Sequence, residues 1–141
     1  MVLKKKIKER SMKSIERELW GLCKKVVLER DSDKSGNVSC YTCGVKNLQG
    51  ANKQLGHAYS KGALGASMRY DIRILKFQDF RCNIFFGGMQ AVFWKNLEQE
   101  LGKKSADKLY EECRRSKGVP IKAREYYLKL IETYKNLNNQ N

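Results

Sequence analysis

No stretch of this chain is apolar for anything near the roughly 18 residues that a membrane-spanning helix needs. The basic N-terminus is not followed by an apolar core, so it does not read as a signal peptide, and the expected location is the cytoplasm. Repeats and low-complexity linkers are missing, so the 141 residues read as a single domain of ordinary small size. Acidic residues are scarce, 15 against 29 Lys and Arg, for a formal net charge of +14. That imbalance suggests a polyanionic partner, DNA or RNA rather than a membrane. The plain alternative is a basic protein with no specific nucleic-acid role. Histidine occurs once, at His57. The loop Asp31–Asn37 resembles the start of a calcium-binding loop, but Thr42 stands where the closing glutamate is needed, which argues against calcium.

Five cysteines are present, two of them as Cys40-Tyr41-Thr42-Cys43-Gly44. Paired thiols at this spacing suggest a metal in a reducing compartment rather than disulfides. Two thiolates two residues apart can close on one tetrahedral zinc ion, with Gly44 permitting the tight turn. A second half-site follows at Asp79-Phe80-Arg81-Cys82-Asn83, where aspartate stands in the first cysteine position. Cys40, Cys43 and Cys82 are three soft ligands and Asp79 is the natural fourth. His57 is the rival fourth ligand, and thiols that are merely buried are the third possibility. Cys23 and Cys113 have no partner at metal spacing.

The chain reads in three parts. Residues 1–30 form a basic segment in which 4–30 read as one long helix, with Ile15, Leu19, Leu22, Cys23, Val26 and Val27 at helical spacing. Residues 38–102 form the core. Val38–Tyr41 and Leu55–Tyr59 read as short strands, Lys61–Met68 as a glycine-rich mobile loop, and Arg69–Phe77 as a strand or extended segment. A helix over Met89–Leu101 should stop at Gly102. Residues 105–137 are the C-terminal helices, one capped by Ser105 and running to about Ser116. Pro120 suits the first turn of the last, whose stripe is Tyr127, Leu130, Ile131 and Tyr134. Asn136–Asn141 should fray.

From Cys40 to Gly102 the chain resembles the phage NinG (Rap) recombination nucleases and, more distantly, the phage resolvase endonuclease VII. Carrying that resemblance are Cys40-x-x-Cys43-Gly44, Gly56-His57, Arg69-Tyr70, Gln78-Asp79-x-x-Cys82-Asn83 and Gly87, then Trp94, Leu97 and Gly102. It implies an α+β fold, a small zinc-stapled ββα-metal core of the His-Me finger (HNH) type, flanked by long N- and C-terminal helices. The implied function is structure-selective endonuclease hydrolysis of phosphodiesters in branched DNA recombination intermediates. His57 would be the general base, suited to that role near neutral pH. Asn83, next to a zinc ligand, would offer its amide oxygen to a catalytic Mg2+ or Mn2+. Symmetric cutting of a junction implies a homodimer, for which the first and last helices are candidate surfaces. If the gene is a phage gene, the location is the host cytoplasm.

The sequence departs from the family pattern at Asp79, at Ile74 and Lys76 (Asn and His in NinG) and at Gly88. In endonuclease VII-like sites an aspartate shares the catalytic metal, but here Gly56 takes its place, leaving Asp71 a candidate by sequence proximity. DNA contact is expected from Lys4, Lys5, Lys6, Lys61, Arg69, Arg73 and Arg81. The alternative function is a non-catalytic zinc-stabilised module that binds DNA or RNA.

Overall fold

The computed structural model describes residues 9–139. It is a mostly helical α+β structure with one small antiparallel sheet, a cysteine cluster beside it, and terminal helices packed on each other. Lys4, Lys5 and Lys6 lie outside the described residues.

Helix α1 spans Met12–Asp31. Its start is later than residue 4 because Ser11 is extended and accepts a hydrogen bond from Ser14 N through its side chain, an N-cap. The stripe from Ile15 to Val27 is buried as its spacing demands, and it meets Tyr127, Ile131 and Tyr134 of the final helix α5, Ala123–Asn139. Those two stripes are therefore consumed inside the chain. Tyr134 Oη donates to Tyr70 O at 2.7 Å and fastens α5 to the central region.

The sheet consists of β1, Gln54–His57, and β2, Leu75–Gln78. They run antiparallel, with Gln54 opposite Gln78 and His57 opposite Leu75. Val38–Tyr41 is not a strand of this sheet. It folds back on itself, Cys40 N donating to Val45 O and Leu48 N to Val38 O, and the turn at Gly44 (φ +80°) carries it away. One bond, Tyr41 N to Phe77 O at 2.9 Å, ties it to β2.

The stretch 61–68 has regular structure rather than being a plain loop. It contains a 3-10 turn and the short helix α2, Ala66–Arg69. Leu64 is buried, and Gly65 N donates to Ser116 Oγ at 2.8 Å. A Cβ at Gly65 would collide with the Ser116 carbonyl, so glycine is what allows this docking. Strand β2 begins only at Leu75 because Asp71 caps a 3-10 turn over Ile72–Ile74, accepting from Arg73 N.

Helices α3, Gln90–Leu101, and α4, Lys103–Arg115, are separated only by Gly102 (φ +86°). Ser105 therefore lies inside α4 rather than capping it. Pro120 precedes α5 by a short extended linker instead of opening it, and α5 persists to Asn139 where fraying was expected. Phe93, Leu97, Leu109 and Cys113 pack with Leu64, Met68 and Ile74 as a second apolar cluster. Cys23 and Cys113 sit in the two clusters, and burial pushes both thiols up to about 12.

Candidate metal centre and histidine cleft

Cys40 and Cys43 come from the turn after Ser39, and Asp79 and Cys82 from the segment leaving β2. One ligand atom from each lies within 4.8 Å of every other. Asp79 does two jobs. Its Oδ1 accepts from Cys82 N at 2.8 Å, capping the helical turn that follows, while Oδ2 accepts from the Cys43 thiol at 3.0 Å. The hydrogen bond from Cys82 N and that thiol together hold the Asp79 carboxyl below the usual carboxylate range. The donor set fits a metal such as zinc, which accepts thiolate sulfur and carboxylate oxygen in a tetrahedral shell. Burial pushes the Cys43 thiol up to about 12, so a proton holds the position that a metal would take over on binding.

His57 does not join this set. It ends β1 and lies over Trp20 of α1, ring centroids 5.3 Å apart and planes 6° from parallel. Its Nε2 is 2.9 Å from Arg69 O. A carbonyl can only accept, so Nε2 carries a proton and the lone pair of the neutral ring is at Nδ1. Burial lowers the His57 pKa, with Lys61 and Arg69 adding to the effect, so the ring is neutral at pH 7.

A cleft of about 390 Å³ brings His57 together with Asn83, Lys61 and the Gly87-Gly88 turn. Asn83 follows Cys82 on a π-helical turn, Arg81–Phe85, so the cysteine cluster fixes where it stands. Its Nδ2 donates to Gln54 Oε1 at 2.8 Å. A larger hollow of about 670 Å³ between α1 and the end of α5 is lined by Lys25, Glu29 and Lys135 and contains neither the histidine nor the cysteine cluster.

Gln78 entered the sequence reading only as part of the motif match, with no site role, and the fold gives it one. Fully buried, it donates through Nε2 to Gly88 O at 2.8 Å and Thr42 Oγ1 at 3.1 Å, joining the cysteine turn to the glycine turn. Because Gly88 O can only accept, the amide orientation is settled and Oε1 points the other way. Among the described residues that oxygen has no partner. It occupies the space beside Gly56, where a Cβ would collide with it and would stand 3.0 Å from Asn83 Oδ1. Two amide oxygens thus approach the space beside one backbone position. Asp71 has no part in it, because its carboxylate is held by Arg73 at 2.8 Å.

The basic residues divide by what already holds them. Lys61 is exposed over the Trp20 ring, and Arg81 is exposed over Phe86. Arg69 is half-buried and donates to Leu64 O. Arg73 is neutralised by Asp71 and Glu112. Lys76 is buried and pinned by Glu100 at 3.0 Å and by the face of Tyr41. Between Lys34 and Leu97 the chain carries only two carboxylates, Asp71 and Asp79, and both are engaged. That run was legible in the sequence as a signal for an anionic ligand. Gln78 stood in the sequence reading only as a motif residue without a role, and Trp20 carried no sequence signal. Comparison with protein-family models, curated proteins and solved structures finds no match for the chain.

Proposed function

We propose that this protein is a divalent-metal-dependent endonuclease acting on branched DNA, built as a zinc-stapled His-Me finger like that of the NinG nucleases. The carrying observation is the pairing, in one cleft, of a neutral histidine whose Nδ1 has no partner among the described residues with an asparagine fixed by the cysteine cluster. The order β1, β2, helical turn with His57 and Asn83 on it agrees with that reading.

In this reading His57 Nδ1 takes a proton from a water molecule as its oxygen attacks phosphorus. The bond to the leaving oxygen breaks, and solvent returns a proton to that oxygen. Trp20 and Arg69 O keep the imidazole in one orientation and one tautomer throughout. Mg2+ or Mn2+, held by Asn83 Oδ1 and Gln78 Oε1, would supply neutralisation of charge on the leaving oxygen. Zinc on Cys40, Cys43, Asp79 and Cys82 would be structural, holding Asn83 in place. Lys61, which lines the cleft, and Arg81, two residues before Asn83, are exposed cations that would meet backbone phosphates. Symmetric cutting of a four-way junction would use two copies of the chain.

One observation favours the alternative of a non-catalytic zinc module that binds DNA or RNA: both oxygens converging beside Gly56 are uncharged amides, and no carboxylate joins them among the described residues. Incubation of the purified protein with junction, flap and duplex DNA, with Mg2+, with Mn2+ and with EDTA, decides between them. Cleavage by the wild type that EDTA and His57→Ala both abolish supports the enzyme. Binding without cleavage under every metal condition supports the module.

A further inference from the structure

The turn after the cysteine cluster turns its apolar side chains outward. Ile84, Phe85 and Phe86 are 55%, 75% and 54% exposed, and Phe80 is 41% exposed. The π-helical turn explains the geometry: Cys82 points into the cluster, Asn83 into the cleft, and the next three residues are left facing solvent. The backbone here is well fastened, with Phe86 N donating to Arg81 O at 2.9 Å and Gly88 N to Cys82 O at 2.8 Å. Phe80 meets Phe85 edge-on at 5.7 Å between centroids, and the Arg81 guanidinium lies over Phe86. Leaving such side chains in water forgoes the gain of burial, so contiguous exposure calls for a partner.

The charge around this patch selects the partner. Arg81 belongs to it, and the nearest carboxylate in sequence, Asp79, is buried in the cysteine cluster. A second copy of a chain carrying +14 is repelled by such a surface. A ligand with flat apolar faces on an anionic backbone suits it, which is the chemistry of unstacked nucleobases.

Resting on the nuclease reading, we propose that Phe85, flanked by Ile84 and Phe86, packs against unstacked bases of DNA at the step beside the phosphate that His57 and Asn83 address. Asn83 and Phe85 are two residues apart on one rigid turn, so the base contact and the cut site are registered to each other. Substrate choice then follows. DNA whose bases are already open at a branch or flap avoids the cost of unstacking, and continuous duplex does not.

The test uses a four-way junction and a continuous duplex of equal length, with 2-aminopurine at the branch or at the matching duplex position. Wild type should raise the junction probe's fluorescence and prefer junction to duplex. Phe85→Ala and the double variant Ile84→Ala/Phe85→Ala should lose that rise. They should weaken junction binding on the order of ten- to a hundredfold, by loss of stacking, while duplex affinity and metal content stay unchanged. Phe85→Trp should restore both. An unchanged junction-to-duplex ratio with an unchanged fluorescence rise in these variants overturns the base contact and leaves the nuclease reading standing. If sedimentation shows that Phe85→Ala converts a dimer to monomer without altering the probe, the patch is a contact between copies and the proposal fails. If wild type binds no DNA, both readings fall together.

Discussion

Trp20 lies flat on His57, 5.3 Å between ring centroids. Helix α1 therefore does more than cover the core with its buried stripe: a half-buried residue beside that stripe shields one face of the only imidazole in the chain. The other constraint, Arg69 O on Nε2, comes from α2. Two elements outside the sheet thus set the tautomer and the solvation of the proposed base.

The pH dependence follows in sign. An unburied imidazole titrates near 6.5, and burial disfavours the charged ring, so His57 titrates lower. The base form then predominates at pH 7 and above, and cleavage should fall on the acid side, as pH drops below 6.5. Trp20→Ala opens the ring to water, so the acid limb should move up toward 6.5. With a single histidine, one NMR titration reads the change directly, alongside rate against pH. An acid limb that does not follow the imidazole titration removes His57 as the base.

The metal centre should behave as a folding element. Because metal binding to such a set is folding free energy, Cys40→Ser and Cys82→Ser should lose metal and thermal stability together, whereas Cys23→Ser and Cys113→Ser should keep the metal. Asp79→Cys separates the two roles of that residue. It should tighten zinc, since a thiolate replaces the oxygen, yet destabilise the metal-free protein by about 1 kcal/mol because Cys82 N loses its capping acceptor. Elemental analysis and melting with and without chelator read both effects. Protein purified without chelator that contains no bound metal would end this account.

Much of the helical frame could be read in advance because its signals are local. Ile15 through Val27 and Tyr127 through Tyr134 repeat at helical spacing, and Gly102 closes α3 where a terminating glycine was expected. The cysteine set was legible from spacing, with Asp79 rather than His57 completing it. What escaped depends on contacts far apart in the chain. Lys61–Met68 has the composition of a loose loop and docks on Ser116 through Gly65, which no local pattern reveals. Ser105 is a good capping residue by type, yet Gly102 turns the chain so sharply that α4 has already begun at Lys103. Gln78 became meaningful only when the register of β1 and β2 set its amide beside Gly56.

That amide can be tested without relying on cleavage alone. If Gln78 Oε1 and Asn83 Oδ1 share a cation, Asn83→Ala and Gln78→Met should each weaken Mn2+ binding, read by electron paramagnetic resonance, and raise the metal concentration needed for cleavage. Gln78→Glu should tighten Mn2+ by placing a carboxylate oxygen where the amide oxygen stands. Gly56→Ala should be damaging, since its Cβ would displace Gln78 from Gly88 O. Manganese affinity that is the same in wild type, Asn83→Ala and Gln78→Met would show that the cation is held elsewhere.

The phosphate contacts should be unequal among the basic residues, because their existing partners are unequal. Lys61 and Arg81 are exposed with only aromatic faces beside them, whereas Arg73 is shared between Asp71 and Glu112. Lys61→Gln and Arg81→Gln should therefore weaken DNA binding on all sequences alike. Each should flatten the log–log salt slope by about one, which is the loss of one phosphate contact by counterion release. Arg73→Gln should leave the slope unchanged and act instead on stability, by releasing two carboxylates. With about 5–8 phosphates engaged, the wild-type slope should fall at roughly −4 to −7. The triple reversal of Lys4, Lys5 and Lys6 should flatten it further if that segment also lies along the backbone. A slope near zero from low to high salt would mean that the +14 charge serves something other than a nucleic acid.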